Sequence, residues 1–201
     1  MSSSFHIDPV SSLVTCSASE TLKNLEKKLN RKGYTLGYSP IQEGETLSLR
    51  ALLDKKIENR YSKKYGALED LCVSLKAKIH EGVFTTKNVP RAATGPDFKK
   101  ILIGSLGQYG KILEVTLKIF PLPEEELKVR LQWQHSSGRQ EFLKVLSSSG
   151  LKPVACLSED AHILEIVLRG GVRFLRAELA CVERLCRETE GQFFLHKRRT
   201  F

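Results

Sequence analysis

The sequence IGSLGQYGKI at residues 103–112 spaces three glycines evenly, at Gly104, Gly107 and Gly110. Apolar residues then recur at nearly every second position as far as Ile119. Glycine adopts positive φ angles without a steric cost, and the alternation of apolar and polar residues has the period of a β-strand. This stretch therefore predicts a tight turn that leads into a half-buried strand.

The residues before this turn predict a mixture of helices and strands, because period-two and helical spacings alternate between glycine- and proline-rich segments. The elements expected there are, in chain order, a strand at residues 13–16, a helix capped by Ser19 and ended by Gly33, a loop at 34–45, a helix at 46–57, a hairpin at 71–86 that turns at Glu81 and Gly82, a loop at 87–97 and a short helix at 98–103. Residues 1–10 are expected to form a polar lead.

A second pattern begins after Pro123, where strand-like and helix-like stretches alternate without long loops. The predicted elements are a strand at residues 127–133, a helix at 140–146, strands at 154–157 and 163–168, a helix at 174–189 and a strand at 193–195. This βαββαβ order is that of a ferredoxin-like module. We therefore expect an α+β protein with a lead at residues 1–10, one domain at 11–125 and a ferredoxin-like module at 126–201.

The composition is typical of a soluble globular protein, since 41% of the 201 residues are hydrophobic and 27% are charged. No window approaches the roughly 18 uninterrupted apolar residues that a membrane-spanning helix needs. Residues 1–5 lack the basic and apolar segments of a signal peptide. The five cysteines are odd in number and mostly flanked by apolar residues, as expected of buried, reduced thiols. We therefore expect a cytoplasmic protein without membrane contact.

The net charge of +9 favours acidic partners, but Lys and Arg are spread along the chain. No aromatic residues interleave the basic clusters, so we expect no nucleic-acid partner. The histidines show no ligand spacing, and no metal is predicted. Two further hypotheses stay open, an anion site at Arg169, Arg173 and Arg176 and a general-base role for His162, although a surface role is favoured for all four residues.

A set of motifs spread over residues 13–123 carries more information than any single one. The motifs are LKNLE and KGYTLG within residues 22–37, KYGALEDL at 64–71, GPDF at 95–98, IGSLGQYGKI at 103–112, EVTLKI at 114–119 and PLP at 121–123. In this order they resemble the FAD-linked oxidases of the vanillyl-alcohol oxidase and p-cresol methylhydroxylase type, a family that includes glycolate oxidase, D-lactate dehydrogenases and alkylglycerone-phosphate synthase.

The resemblance implies both a fold and a cofactor. Members of that family bind FAD between two α+β subdomains, and residues 11–125 correspond to the second of these. Residues 126–201 resemble a small version of the family's substrate cap. Cofactor contacts are implied for Ser48, Gly107, Gly110 and Ile112.

Three departures from the family pattern weaken the implied FAD site. The loop of the form Arg-Gly-Gly-Gly-Thr-Ser, whose backbone N–H groups hold the pyrophosphate, does not occur in the sequence. The family's Thr-x-Gly-Gly falls on SLRA at residues 48–51, so Arg50 and Ala51 replace two glycines, and Leu106 stands where the family commonly has Glu. We therefore expect FAD binding to be weakened or to depend on a partner chain.

These features favour a shortened FAD-linked oxidase-type protein, which is a subunit or a relative of a flavin-dependent dehydrogenase of 2-hydroxy acids or similar alcohols. The expected partner is a full-length flavin oxidase chain, by analogy with glycolate oxidase, or a second copy of this chain. A flavin-free binding or scaffold protein that retained the fold is the alternative. The sequence assigns no catalytic residue.

Overall fold

In the computed structural model the chain has two hydrophobic cores. One is formed by residues before the Leu122–Pro123 bond and the other by residues after it. The structure describes residues 5–41, 45–80, 82–86 and 97–201. The first unit, Met1–Leu122, and the second unit, Pro123–Phe201, each contain their own sheet and helices. The architecture is α+β, as the sequence predicts. Most of the predicted loop at residues 87–97, and Glu81 of the predicted turn, lie outside the described residues.

The first unit is built on a five-stranded antiparallel sheet with the strand order β1-β2-β6-β4-β5 and a two-stranded sheet that pairs β3 with β7. Its elements are β1 (Phe5–Asp8), β2 (Leu13–Ser17), α1 (Leu22–Asn30), β3 (Tyr34–Thr35), α2 (Leu49–Asp54), α3 (Ser62–Tyr65), α4 (Leu68–Leu71), β4 (Cys72–Ile79), β5 (Gly82–Thr85), α5 (Phe98–Leu102), β6 (Lys111–Lys118) and β7 (Phe120–Pro121).

Strand β6 is the central strand of this sheet, and its apolar residues pack against those of the two adjacent strands, β2 and β4. Val115 and Leu117 are fully buried, and they pair with residues of β2 on one side and β4 on the other. The apolar stripe of α1 packs into the same core, as its spacing predicts. The predicted β4–β5 hairpin and the short helix before Gly104 are both confirmed.

Several local predictions for the first unit are wrong. Thr21, not Ser19, caps α1, because the Thr21 hydroxyl accepts a hydrogen bond from the Asn24 N–H while Ser19 bonds to Ser17 instead. The helix expected at residues 46–57 is only Leu49–Asp54. The polar lead contains strand β1, and α3 lies in a stretch for which no helix was predicted.

The second unit is a four-stranded antiparallel sheet with two helices, in the predicted βαββαβ order. Its elements are β8 (Glu125–Gln132), α6 (Ser136–Ser148), β9 (Ala155–Ser158), β10 (Ile163–Gly170), α7 (Val172–Glu188) and β11 (Gln192–Thr200). The strands lie in the order β11-β8-β10-β9, which is the fourth, first, third and second strand of the module and therefore the ferredoxin-like order. None of the helices in the described ranges is both long and apolar enough to cross a bilayer.

Candidate functional site

The glycine turn, residues 104–110, connects α5 to β6 and has a different constraint at each glycine. Gly104 has a φ of +80°, and a Cβ there would meet the side chain of Lys56. At Gly110 a Cβ would lie 2.9 Å from the Lys78 carbonyl oxygen, so the main chain of β4 leaves no room for a side chain. Gly104 is therefore required by its positive φ, and Gly110 by the close approach of β4, and both reasons are independent of any ligand.

The middle of the glycine turn faces open space instead. Gly107 has a φ of +83°, and a Cβ there would meet no atom within 4 Å. Its N–H makes no hydrogen bond with any described residue. Leu106 beside it has a φ of +52° and is 70% exposed. A leucine in the left-handed region costs about 1–2 kcal/mol, so this strained, exposed apolar residue marks the turn as a candidate contact surface.

Helix α2 begins close to the start of β6. Ser48 is its N-cap, and the Ser48 hydroxyl oxygen accepts a hydrogen bond from the Ala51 N–H at 3.2 Å. The next two N–H groups are also bonded within the chain, from Leu49 to the Glu20 carbonyl at 2.9 Å and from Arg50 to the Ala18 carbonyl at 2.8 Å. All three N–H groups that open the helix therefore have internal partners.

Arg50 joins this helix to the strand that follows the glycine turn. Its Nε donates a hydrogen bond to the Ile112 carbonyl oxygen at 2.6 Å. Ala18, which accepts from the Arg50 N–H, itself donates to the Leu113 carbonyl at 2.9 Å. The structure thus brings Ser48 and Ile112 together through Arg50, with Gly110 two positions before Ile112 and Gly107 at the open end of the turn. All four predicted FAD-contact residues lie in the first unit, and their role stays a prediction.

A shallow cavity lies beside the other end of α2. Its volume is about 160 Å³, and its lining includes Leu52, Leu53 and Lys56. Lys56 also forms an exposed ion pair with Glu69 at 3.4 Å. Sites for cofactor-sized ligands typically have about 300–1,000 Å³. This cavity is therefore too small to enclose FAD.

Asn59 is a structural residue near the site that sequence reasoning missed. It is buried, and its side-chain oxygen accepts hydrogen bonds from the Ser39 and Tyr61 N–H groups at 2.9 and 3.0 Å. Its side-chain nitrogen donates to the carbonyls of Gly37 and Gly66 at 3.2 and 2.8 Å. One fully satisfied amide therefore joins three loop segments. Its only sequence signal is a polar residue in a stretch that resembles a turn.

FAD fits the described part of this site only partly. A pyrophosphate needs several converging N–H donors, and the three that open α2 are already bonded internally. The Ile112 carbonyl is likewise bonded to Arg50. Among the predicted contacts, the Ser48 O–H and the N–H groups of Gly107 and Gly110 make no hydrogen bond with the described residues, so they remain as donors for a ligand. The first unit therefore supplies an incomplete set of donors for this cofactor.

The arginines beside Gly171 do not form a free anion site in the second unit. A carboxylate oxygen of Glu124 accepts a hydrogen bond from the Val172 N–H at 3.0 Å, at the N-terminus of α7. Arg169 is paired with the buried carboxylate of Glu126 at 2.5 Å. The chain's own carboxylate thus lies where an external anion would bind. The structure therefore does not support the anion-site hypothesis.

The second hypothesis, a general-base role for His162, also finds no support. His162 is exposed in the turn between β9 and β10, where its main-chain N–H donates to Asp160 at 2.6 Å. This hydrogen bond lowers the pKa of the Asp160 carboxyl, as does a second one from the Ile163 N–H. The described ranges contain no group of three or more His, Cys, Asp or Glu side chains placed to hold a metal ion.

The cysteines behave as the sequence suggests, since all five are free thiols and Cys16, Cys72 and Cys186 are buried. Burial raises the pKa of the Cys16 and Cys72 thiols to about 12. These thiols stay protonated at neutral pH, so they are not candidates for a nucleophile.

Comparison with known proteins supplies the decisive observation. The chain is 40% identical over 164 residues to an uncharacterized FAD-linked oxidoreductase, YgcU, of Escherichia coli, a match that covers 81% of this chain and 34% of that protein. It is 38% identical over 114 residues to alkyldihydroxyacetonephosphate synthase of Caenorhabditis elegans, covering 55% of this chain and 19% of that protein. The chain is homologous to the FAD-linked oxidoreductases. No family model matches it.

The solved structures agree with this similarity at the level of the fold. An alkyldihydroxyacetonephosphate synthase structure superposes with a TM-score of 0.80 over 94% of this chain and 40% of that one, at 18% identity. A more distant relative by sequence is the mitochondrial D-lactate dehydrogenase [cytochrome] of Arabidopsis thaliana, 27% identical over 92 residues, which cover 45% of this chain and 16% of that protein. The chain spans about a third of the length of the first relatives that it matches.

Proposed function

We propose that this chain forms one side of an FAD site in a flavin-dependent oxidoreductase that acts on 2-hydroxy acids or similar alcohols. The observation that carries the proposal is the meeting of the α2 start with the glycine turn and β6, in a chain that is 40% identical to an FAD-linked oxidoreductase. The residues predicted to contact FAD lie along this junction.

Each predicted contact has a distinct role in the proposal. Gly107 presents an unbonded N–H at an open position, where a phosphate or an adenine nitrogen can approach closely. The Ser48 hydroxyl keeps its proton free for donation while its oxygen caps α2. Gly110 and Ile112 set the path of the main chain where β6 begins. When bound, FAD supplies the acceptor for the hydride of the substrate alcohol, and this chain's residues orient it and exclude water.

We further propose that FAD binding by this chain alone is weak and that another polypeptide completes the site. The bonded N–H groups at residues 49–51 support weak binding, because they leave few donors for the pyrophosphate. A partner is supported by apolar side chains near the glycine turn that are 44–70% exposed, namely Phe98, Ile101, Leu106 and Tyr109. The proposed partner is a full-length flavin oxidase chain or a second copy of this chain.

The experiment is a titration of the purified 201-residue chain with FAD by equilibrium dialysis, in which the excess flavin absorbance on the protein side measures the bound FAD. We expect weak but saturable uptake, which Gly107→Val should reduce because its side chain fills the open approach. Gly150→Val is the matched control, because Gly150 has a φ of +78°, also has open space around it and lies in the second unit. Both variants carry a similar backbone strain.

The proposal fails if Gly107→Val and Gly150→Val change FAD uptake equally, since the turn would then make no specific contact. Absence of any uptake by the wild-type chain at millimolar FAD would also contradict it. That result would support the flavin-free binding or scaffold role instead.

A further inference from the structure

We propose that β11 is a self-association edge, at which two copies of this chain pair antiparallel around a twofold axis at Phe194 and join their four-stranded sheets into one. This goes beyond the proposed function, because β11 belongs to the second unit and the glycine turn to the first. β11 lies at the edge of its sheet, and within the described ranges it pairs with β8 only. Its other side therefore offers main-chain N–H and C=O groups to a further strand.

The first half of β11 is an apolar edge without the usual protection. Residues 192–195 have the sequence QFFL, which contains no charge and no proline. Phe194 and Leu195 are 47% and 50% exposed although both lie within a strand. Charges and bulges commonly protect strand edges, and in β11 both occur only after Leu195. The apolar half is therefore the part of the edge that is suited to pairing.

The register of the sheet decides which residues of β11 can bond to a second strand. The Trp133 N–H, directly after β8, donates at 3.0 Å to the main chain that leads into β10. Main-chain groups alternate in direction along a strand, so those of Val129 and Leu131 also point toward β10. Leu195 lies opposite the first of these residues and Phe193 opposite the second. The N–H and C=O groups of Phe193 and Leu195 therefore point away from β8.

These directions fix the register of two paired β11 strands. With the twofold axis at Phe194, Phe193 of each copy lies opposite Leu195 of the other, and the two residues exchange hydrogen bonds through their outward groups. The two Phe194 side chains then lie directly opposite each other, where cross-strand aromatic pairs are favourable. A shift by one residue would place inward-pointing groups opposite outward-pointing ones, so it would lose these hydrogen bonds.

The charges at the two ends of β11 favour a second copy in this antiparallel direction. Glu190 is exposed in the turn before the strand, and Arg198 and Arg199 are exposed near its end. Arg198 already bonds to Glu125, so Arg199 is the more available of the two arginines. An antiparallel pair brings the acidic end of one strand close to the basic end of the other, whereas a parallel pair would bring like charges together.

The test measures the self-association of the 201-residue chain by sedimentation, from micromolar to millimolar concentration. We expect a reversible monomer–dimer equilibrium. Phe194→Asp should raise its dissociation constant at least about tenfold, because it removes the ring pair and places two like charges opposite each other. Phe174→Asp is the matched control, since Phe174 is an aromatic residue of the same unit that is 60% exposed and lies outside β11. It should leave the dissociation constant unchanged.

Two further measurements test the twofold register itself. A mixture of Phe194→Asp and Phe194→Lys chains should associate more tightly than either variant alone, because the axis places Asp of one chain opposite Lys of the other. In the wild-type chain, amide hydrogen exchange at Phe193 and Leu195 should slow as the concentration rises. This readout needs no substitution, so it holds even where a variant fails to fold.

Three results would overturn the proposal. They are a wild-type chain that stays monomeric up to millimolar concentration, equal effects of Phe194→Asp and Phe174→Asp, and a mixture that associates no better than its components. A dimer that Leu106→Asp abolishes and Phe194→Asp leaves intact would also overturn it. That last result would place the second copy at the glycine turn, and the proposed function would still stand.

Discussion

Individual residues in this chain show that part of a family motif can be present for structural reasons that are independent of cofactor binding. Gly104 is required by its positive φ and Gly110 by the close approach of β4, so their presence does not by itself indicate a cofactor. Gly107 also has a positive φ but faces open space, and Arg50 donates a hydrogen bond to the Ile112 carbonyl from a position where the resembling family has a glycine. Gly107 and Arg50 are therefore the residues that bear most directly on whether this site binds FAD.

Asn59 allows a stability prediction at this scale. Asn59→Ala removes four hydrogen bonds and leaves buried main-chain groups of three loop segments without partners. We expect the free energy of unfolding to fall by about 3 kcal/mol. Chemical denaturation followed by circular dichroism measures it. Asn24→Ala, at an exposed position on α1, is the control and should change stability by less than about 0.5 kcal/mol.

Whole elements were predicted better than their ends. The strand after the glycine turn, the β4–β5 hairpin and the βαββαβ order all follow from hydrophobic periodicity, and each is confirmed. The N-cap of α1 was misplaced because Ser19 and Thr21 are both good capping residues, and only the local backbone decides between them. The contacts of Arg50 and Asn59 join residues far apart in sequence, so no local pattern contains them.

The two capping candidates give a direct test at the element scale. Thr21→Ala should destabilise the protein by about 1 kcal/mol, because the Asn24 N–H loses its acceptor. Ser19→Ala should have almost no effect, since Ser19 lies outside the helix and its hydroxyl bonds only to Ser17. Thermal unfolding of the two variants distinguishes these outcomes, and equal losses would contradict the observed cap.

At the scale of the whole molecule, each unit has a core of its own. In the second unit this core contains Val129, Phe142 and Val182, all fully buried. Because a sheet with two packed helices can bury enough apolar surface to fold, residues 123–201 should form a stable protein when expressed alone.

The isolated second unit should unfold in one cooperative transition, as measured by urea denaturation. Phe142→Ala, which removes a fully buried aromatic ring from that core, should lower its free energy of unfolding by about 3–5 kcal/mol or abolish folding. A gradual, non-cooperative transition of the parent fragment would show that the second unit depends on the first.

The central claim is that the junction of α2, the glycine turn and β6 contacts FAD. Its most direct test is a map of amide chemical-shift changes in the 201-residue chain as FAD is added. The account predicts that the largest changes cluster at Ser48, Gly107 and Ile112 and that they saturate. Changes confined to the second unit, or no saturable change at any site, would contradict it.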